Sequence, residues 1–225
     1  MCATVPGACQ ACDMIFEQLI PTTAWGTRYY TAPVHGVNTS TYRIMAEHDG
    51  TTVTINGGAP ITLNAGQRHE VNGTTTPSCI QANHPVSVAQ LMEGYSCAGN
   101  GDPSLWLVSP AERMSSRVAW QTSTSSLITQ HSVSVVVPAA AVGQLTLDGV
   151  LVPAAQFQSF AGCNDRKHVK LPVAPGRHEL AATAGLQAYM FGTGYGESYG
   201  ASIHDVKAIP VPQDSIVCGG GPLTL

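Results

Sequence analysis

The residues best able to do chemistry in this chain are eight histidines, fourteen Asp and Glu side chains, and many serines. A histidine beside a carboxylate is the base half of a hydrolytic site, and His48-Asp49 and His204-Asp205 both place the two in sequence. His48-Asp49 runs straight into Gly50, however, and Asp-Gly is favoured at a tight turn for its backbone geometry. With so many serines and histidines such neighbours arise by chance, and no serine is read as a nucleophile. The expectation is a chain without a catalytic residue set.

Between residues 192 and 200, glycines stand at 192, 194, 196 and 200. This rhythm lacks the lysine and the strand-to-helix setting of a phosphate-binding loop, so close packing or turns with positive φ are expected. Within it, Tyr195 and Tyr199 either cover the core or stand outward, where tyrosine gives a large contact area at low entropic cost. Trp25 and Trp120 pose a similar choice between core and a surface that stacks on a sugar, whereas Trp106 lies in an apolar run and reads as core. Tyr195, Tyr199, Trp25 and Trp120 are therefore the candidate binding residues. Asn100-Gly101-Asp102-Pro103 offers oxygens of the kind calcium prefers, but a turn explains it and no EF-hand spacing is present. No cofactor is expected, with calcium in that loop as the alternative.

Seven cysteines fall at 2, 9, 12, 79, 97, 163 and 218. Cys79 and Cys163 sit in polar, turn-rich sequence, where a disulfide is a better account than a buried thiol, and disulfides persist in oxidising compartments. Cys9-Gln10-Ala11-Cys12 has half the spacing of a zinc knuckle but no second close pair, so no metal is expected. Spacing does not fix connectivity. The expected pairs are Cys79–Cys97, which flank one strand pair, and then Cys163–Cys218, with Cys9 and Cys12 available for a bond to another chain.

The elements that must position these residues are strands. Thr41–Ala46, Thr51–Asn56, Pro60–Leu63, Gln67–Val71, Val86–Met92, Ser104–Val108, Ser132–Val137, Gln144–Leu147, Val150–Val152, His168–Leu171, Gly176–Ala182 and Gln187–Phe191 alternate or are rich in β-branched residues. Turn residues recur between them, with Asp49-Gly50 read as a hairpin turn. Helical spacing is confined to one turn at Ile15–Leu19 and one at Ala154–Phe157. A weak repeat also shows. Val53-Thr-Ile-Asn-Gly57 matches Leu145-Thr-Leu-Asp-Gly149, and Pro85-Val-Ser-Val-Ala-Gln-Leu-Met-Glu-Gly-Tyr95 matches Gly185-Leu-Gln-Ala-Tyr-Met-Phe-Gly-Thr-Gly-Tyr195. The fold class expected is all-β, as two related and packed β-sandwich-like halves. The organisation expected is 1–24, a cysteine-containing segment; 25–112 and 113–211, the two halves; and 212–225, a tail.

Composition bounds the partners. Apolar residues are 44% of the chain and charged residues only 11%, against about 25% charged in an average soluble domain. Such a surface of Thr, Ser, Asn and Gly suits an extracellular or assembled protein. The net charge is −4, and the ten Lys and Arg form no basic cluster, the one adjacent pair being Arg166-Lys167, so no nucleic acid is expected. No stretch approaches the ~20 apolar residues of a membrane-spanning helix. The N-terminus lacks the basic start and apolar core of a signal peptide, which leaves the cysteines to indicate export. Asn38-Thr39-Ser40 and Asn72-Gly73-Thr74 match the glycosylation pattern.

Several segments in order, Glu17-Gln-Leu-Ile-Pro21, Trp25-Gly-Thr-Arg-Tyr-Tyr30, Tyr42 to Asn56, Gly101-Asp-Pro-Ser104 and Tyr189 to Tyr195, resemble the IgGFc-binding-protein N-terminal domain family, in the form of a secreted bacterial member. The resemblance covers about residues 15–211 and leaves the Cys9/Cys12 segment and the Cys218 tail outside. It implies an extracellular or cell-surface module for binding and adhesion, contacting proteins or glycans, with no catalytic residues to carry over. The alternative from the residues is a structural subunit of an extracellular filament or surface layer, assembling through its termini, edge strands or intermolecular disulfides. A hydrolase stands behind both.

Overall fold

The computed structural model describes residue 9, residues 15–31, 34, 36–37 and 39–203. Strands dominate, because β-branched and alternating segments can bury one face of a sheet and wet the other. The first seven are β1 (Gly26–Tyr30), β2 (Ser40–Ala46), β3 (Thr51–Ile55), β4 (Ile61–Leu63), β5 (Arg68–Thr74), β6 (Cys79–Met92) and β7 (Ser104–Leu107), and one helical turn, α1 (Tyr95–Ala98), follows β6. The remaining eight are β8 (Ser115–Gln121), β9 (Gln130–Pro138), β10 (Thr146–Leu147), β11 (Val150–Leu151), β12 (Gln158–Phe160), β13 (Cys163–Val173), β14 (Arg177–Gly194) and β15 (Glu197–Ile203). All pairings between strands are antiparallel.

The two halves share one topology, to which the second adds β12. In the first, the order is β4-β3-β6-β2-β5, with β1 and β7 also on β6; in the second it is β11-β10-β14-β9-β13-β12, with β8 and β15 also on β14. Thus β6 and β14 are the same strand of the repeat, each serving four neighbours because each changes partners part-way. The irregularity that permits the change recurs at the same place: pairing of β1 with β6 skips from Gln81 to Val86, and pairing of β8 with β14 skips from Ala181 to Leu186. A bulge bends its strand and re-aims the side chains beyond it. This is why Gly176–Ala182 and Gln187–Phe191, which read as two strands in the sequence, are one.

The matching turns agree in detail. Asn56 and Asp148 are the non-glycine residues with positive φ among those described, at 53° and 52°. Each precedes a glycine, as a two-residue turn of the mirror-image type requires. Asn56 Oδ1 accepts from the Cys79 N–H at 2.8 Å, and Asp148 Oδ1 accepts from the Glu179 N–H at 2.8 Å. Asp49-Gly50 behaves otherwise. Strands β2 and β3 do not pair with each other, and this turn carries the chain from one stretch of β6 to the next. Residues 15–19 form no helix, and the turn near 154 is a short 3-10 segment, Ala154–Gln156.

Two cores result. Val118, Trp120, Val133, Val135, Val137, Leu171, Leu180 and their neighbours fill the second half alone. The other joins Tyr29, Ile44, Val88 and Trp106 of the first half to Val136, Phe160, Tyr189 and Phe191 of the second. Strand alternation explains the sharing, since Val135 and Val136 face opposite sides of β9. The seam is also covalent and ionic. Cys79 is bonded to Cys163, and Asp165 accepts from Arg28 at 2.8 Å and from the Tyr30 hydroxyl at 2.8 Å. The Tyr30 phenol is pushed up to about 12, first by burial and then by that carboxylate.

The cysteine pairing departs from expectation. Cys79 pairs with Cys163, and Cys97 pairs with Cys9, in place of Cys79–Cys97 and Cys163–Cys218. Cys79 opens β6 and Cys163 opens β13, two starts that meet only where the halves pack, so a pairing by local sequence misses them. Cys12 and Cys218 lie outside the described residues.

Candidate functional site

Strands β6 and β14 end alike, in Glu93-Gly94-Tyr95 and Thr193-Gly194-Tyr195. These two tyrosines come together at one end of the molecule, ring centroids 6.1 Å apart and planes at 64°. Tyr195 is 90% exposed at the tip of the β14–β15 hairpin, and Tyr95 is 47% exposed on α1. Their backbones are held from several sides. Gly99 closes α1 in the left-handed conformation, at φ 81°, where a side chain would strain. The Asn100 amide donates to Thr193 Oγ1 at 3.1 Å, and Ser198 Oγ donates to the Asp102 carbonyl at 2.5 Å. Cys97, two residues past Tyr95, is bonded to the buried Cys9.

Leu127 joins this end. A Cβ on Gly194 would lie 1.7 Å from the Leu127 carbonyl, so only glycine lets the 123–128 loop sit there, and Leu127 is left 57% exposed. The stretches 94–103, 123–130 and 193–200 contain hydroxyl and amide side chains, the carboxylates Asp102 and Glu197, and no Lys or Arg. Such a surface offers apolar faces and neutral hydrogen-bonding groups, and it has nothing to neutralise a phosphate.

The sequence candidates divide accordingly. Tyr195 stands outward. Tyr199 is half-buried, lies over Gly192, and bonds through its hydroxyl to His131 Nδ1 at 3.0 Å. Trp120 is in the second core, against His178, and half-buried Trp25 donates through Nε1 to the Ile20 carbonyl at 3.3 Å. Tyr95 was not a sequence candidate, although it stands one hundred residues before Tyr195, at the matching end of the repeat.

Gly196-Glu197-Ser198-Tyr199-Gly200 spells the Gly-x-Ser-x-Gly motif of a nucleophile elbow, so the motif is present in the sequence. The elbow presents its serine on a sharp strand-to-helix turn. Here the five residues start β15 in a hairpin, and the Ser198 hydroxyl is given to Asp102. His48 lies on an exposed turn beside Glu47 and His84, and His204-Asp205 lies outside the described residues. One set of potential metal ligands gathers among the described residues, Cys9, Glu93 and Cys97, but its two sulfurs are bonded to each other. Among the described residues no helix is long and apolar enough to cross a membrane.

The sequence profile of the IgGFc binding protein family matches residues 1–192. The chain belongs to this family. The match begins at residue 1, so the Cys9/Cys12 segment, set outside the resemblance in the sequence reading, falls within it. No curated protein matches. Among solved structures, the Pleurotus ostreatus lectin in its apo form is 12% identical, covering 80% of this chain and 76% of its own, with a TM-score of 0.24. An anti-sigma factor domain-containing protein is 9% identical, covering 72% of this chain and 78% of its own, at 0.23. A Pleurotus ostreatus lectin in complex with GalNAc is 14% identical, covering 80% and 77%, at 0.20. Superpositions this loose carry no inference about fold or ligand.

Proposed function

We infer that this chain is an exported, non-catalytic binding and adhesion module that meets a protein or glycan through its Tyr95–Tyr195 end. The observation that carries this is the meeting of two exposed tyrosines from matching positions of the repeat, beside an exposed leucine. Aromatic rings that are rigid and half-wet give contact area without much ordering cost. Membership of a family described as IgGFc binding supports a binding role, and two disulfides among the described residues support an oxidising, extracellular setting. The test is a glycan array and a panel of extracellular proteins, probed with the wild-type chain and with Tyr95→Ala/Tyr195→Ala. Loss of binding with unchanged thermal unfolding supports the assignment, and full binding by the folded double variant removes it.

One feature favours the second reading, a filament or surface-layer subunit. Strand β11 is a sheet edge with Val150 and Leu151 71% and 55% exposed, and an apolar edge is a template for another strand. Light scattering of the full chain, with and without Val150→Lys, separates the readings: oligomers that Val150→Lys dissolves favour assembly, and a monomer removes it.

A further inference from the structure

Beyond any binding role, the geometry points to self-modification at Asn72-Gly73, where a buried carboxylate stands on the very N–H that must lose its proton. Strand β5 is irregular at this point. Ser40 pairs with Thr74 and Tyr42 with Val71, so Asn72 and Gly73 together face the single residue Thr41. The bulge frees the Gly73 nitrogen from the ladder. Gly73 has φ 63° and open space around it, and both residues are exposed.

Three bonds organise the bulge from below. The Gly73 N–H donates to Glu93 Oε1 at 2.9 Å. The Thr41 hydroxyl lies 2.9 Å from the same oxygen and 3.2 Å from Asn72 Oδ1. Thr39 Oγ1 donates to the other carboxylate oxygen. Glu93 is 1% exposed, and no ion pair with it occurs among the described residues. The Asn72 side chain lies close enough to Glu70 to help lower its carboxyl, after the larger effect of Arg43.

We propose that Glu93 takes the Gly73 amide proton while that nitrogen attacks Asn72 Cγ, closing a five-membered succinimide. The negative charge that develops on Oδ1 receives the Thr41 hydroxyl, which swings from Glu93 to the amide oxygen. Collapse breaks the Cγ–Nδ2 bond, and the proton held by Glu93 leaves with the nitrogen as ammonia. Water then opens the succinimide at either carbonyl, giving aspartate or isoaspartate at position 72. No oxidant or second substrate enters, and each turn converts one neutral amide into one carboxylate. The new charge sits beside Glu70 and Glu93, where it repels both and loosens β5 at its sheet edge.

The same chain carries two controls. Asn56-Gly57 is locked in a tight turn, with Oδ1 taken by the Cys79 N–H. At Asn100-Gly101 the amide nitrogen donates to Thr193, and the Gly101 N–H donates to the asparagine's own Oδ1. Among the described residues the Gly101 N–H is thus held by an amide oxygen and not by a carboxylate.

The experiment is peptide mapping by mass spectrometry of the oxidised, full-length chain incubated at neutral pH, folded and in urea. The expected result is amide-to-acid conversion at Asn72 on the order of 10²-fold faster in the folded chain than in urea, as one positioned acid–base group supplies. Asn56 and Asn100 are expected to show the reverse, protection by folding. Glu93→Gln should bring the folded rate at Asn72 down to that in urea. A folded wild-type rate at Asn72 equal to or below the rate in urea overturns the proposal, and this comparison needs no variant to fold. A folded Glu93→Gln chain that converts at the wild-type rate overturns it equally.

Discussion

In the second half, Val133, Val135 and Val137 close a core with residues of that half alone, whereas the first half completes its core with Val136, Phe160, Tyr189 and Phe191 borrowed across the seam. The strand order is the same in both except for β12, which only the second half has and which supplies Phe160, so topology accounts for a small part of the difference. What differs is which face of the matching strands finds a partner within its own half. The second half has a core of its own and the first has none apart from the seam, so two halves of like strand order are unequal members.

The sharpest way to break this comparison is to empty each core in turn. Trp106→Ala should cost about 3–5 kcal/mol and separate denaturant unfolding into two transitions, with the second half outlasting the first. Leu180→Ala, at about 2–5 kcal/mol, should lower a single transition, since the first half loses its support as well. Two transitions in Leu180→Ala, with the first half surviving, would reverse the dependence.

The covalent seam comes next. Cys79→Ser/Cys163→Ser opens a loop of sequence separation 84 and should cost about 2–4 kcal/mol. Calorimetry should show the first half melting ahead of the second, and a single transition at the wild-type temperature would show the packing alone to be sufficient.

His168 sharpens the picture through pH. It lies buried on β13 against Phe160, with no hydrogen-bond partner for either ring nitrogen among the described residues, and burial, then the Lys170 charge, pushes it down to about 4. The unfolded chain takes up a proton near pH 6.5 that the folded chain refuses until about 4. Stability therefore falls as pH drops through that window, by up to about 3 kcal/mol. His168→Leu should flatten the acid limb of a Tm-against-pH curve, and an unaltered limb would place the sensitivity elsewhere.

The smallest effect concerns the matching turns. Asp148 also accepts from His178 Nδ1 at 2.7 Å. Burial raises this carboxyl, but the bonds from His178 and the Glu179 N–H prevail and hold it below its usual value. Asp148→Asn should cost about 1 kcal/mol, while Asn56→Asp should change urea stability by less than half of that. Equal effects would make the two turns interchangeable.

Much of this was legible in the sequence. The Asn-Gly and Asp-Gly turns and the two Gly-Tyr strand ends carry the repeat because turn geometry and strand burial restrict residue type. Tyr195 could be named as a candidate from its glycines. Tyr95 could have been found by taking the repeat at its word, since it matches Tyr195 position for position. The disulfides could not, because Cys79 and Cys163 are brought together by packing between halves and local spacing carries no trace of it. Nor could the length of β14, since Ala182-Thr-Ala-Gly185 reads as a break when it is a bend. The constellation at Glu93 gathers residues from β2, β5 and the end of β6, and only register assembles it.

The two bridges interleave, Cys9 with Cys97 and Cys79 with Cys163, and this governs how the protein would bear a pull. The backbone from Cys9 to Cys163, drawn straight at about 3.5 Å per residue, would reach on the order of 500 Å. The covalent route runs instead across one bridge, back through the 17 residues between Cys97 and Cys79, and across the other, and tightens after roughly 60 Å. Under tension the stretch from Cys9 to Cys163 would yield little slack before the load passed to sulfur, whereas β14 and β15 lie beyond the second bridge and would give way first.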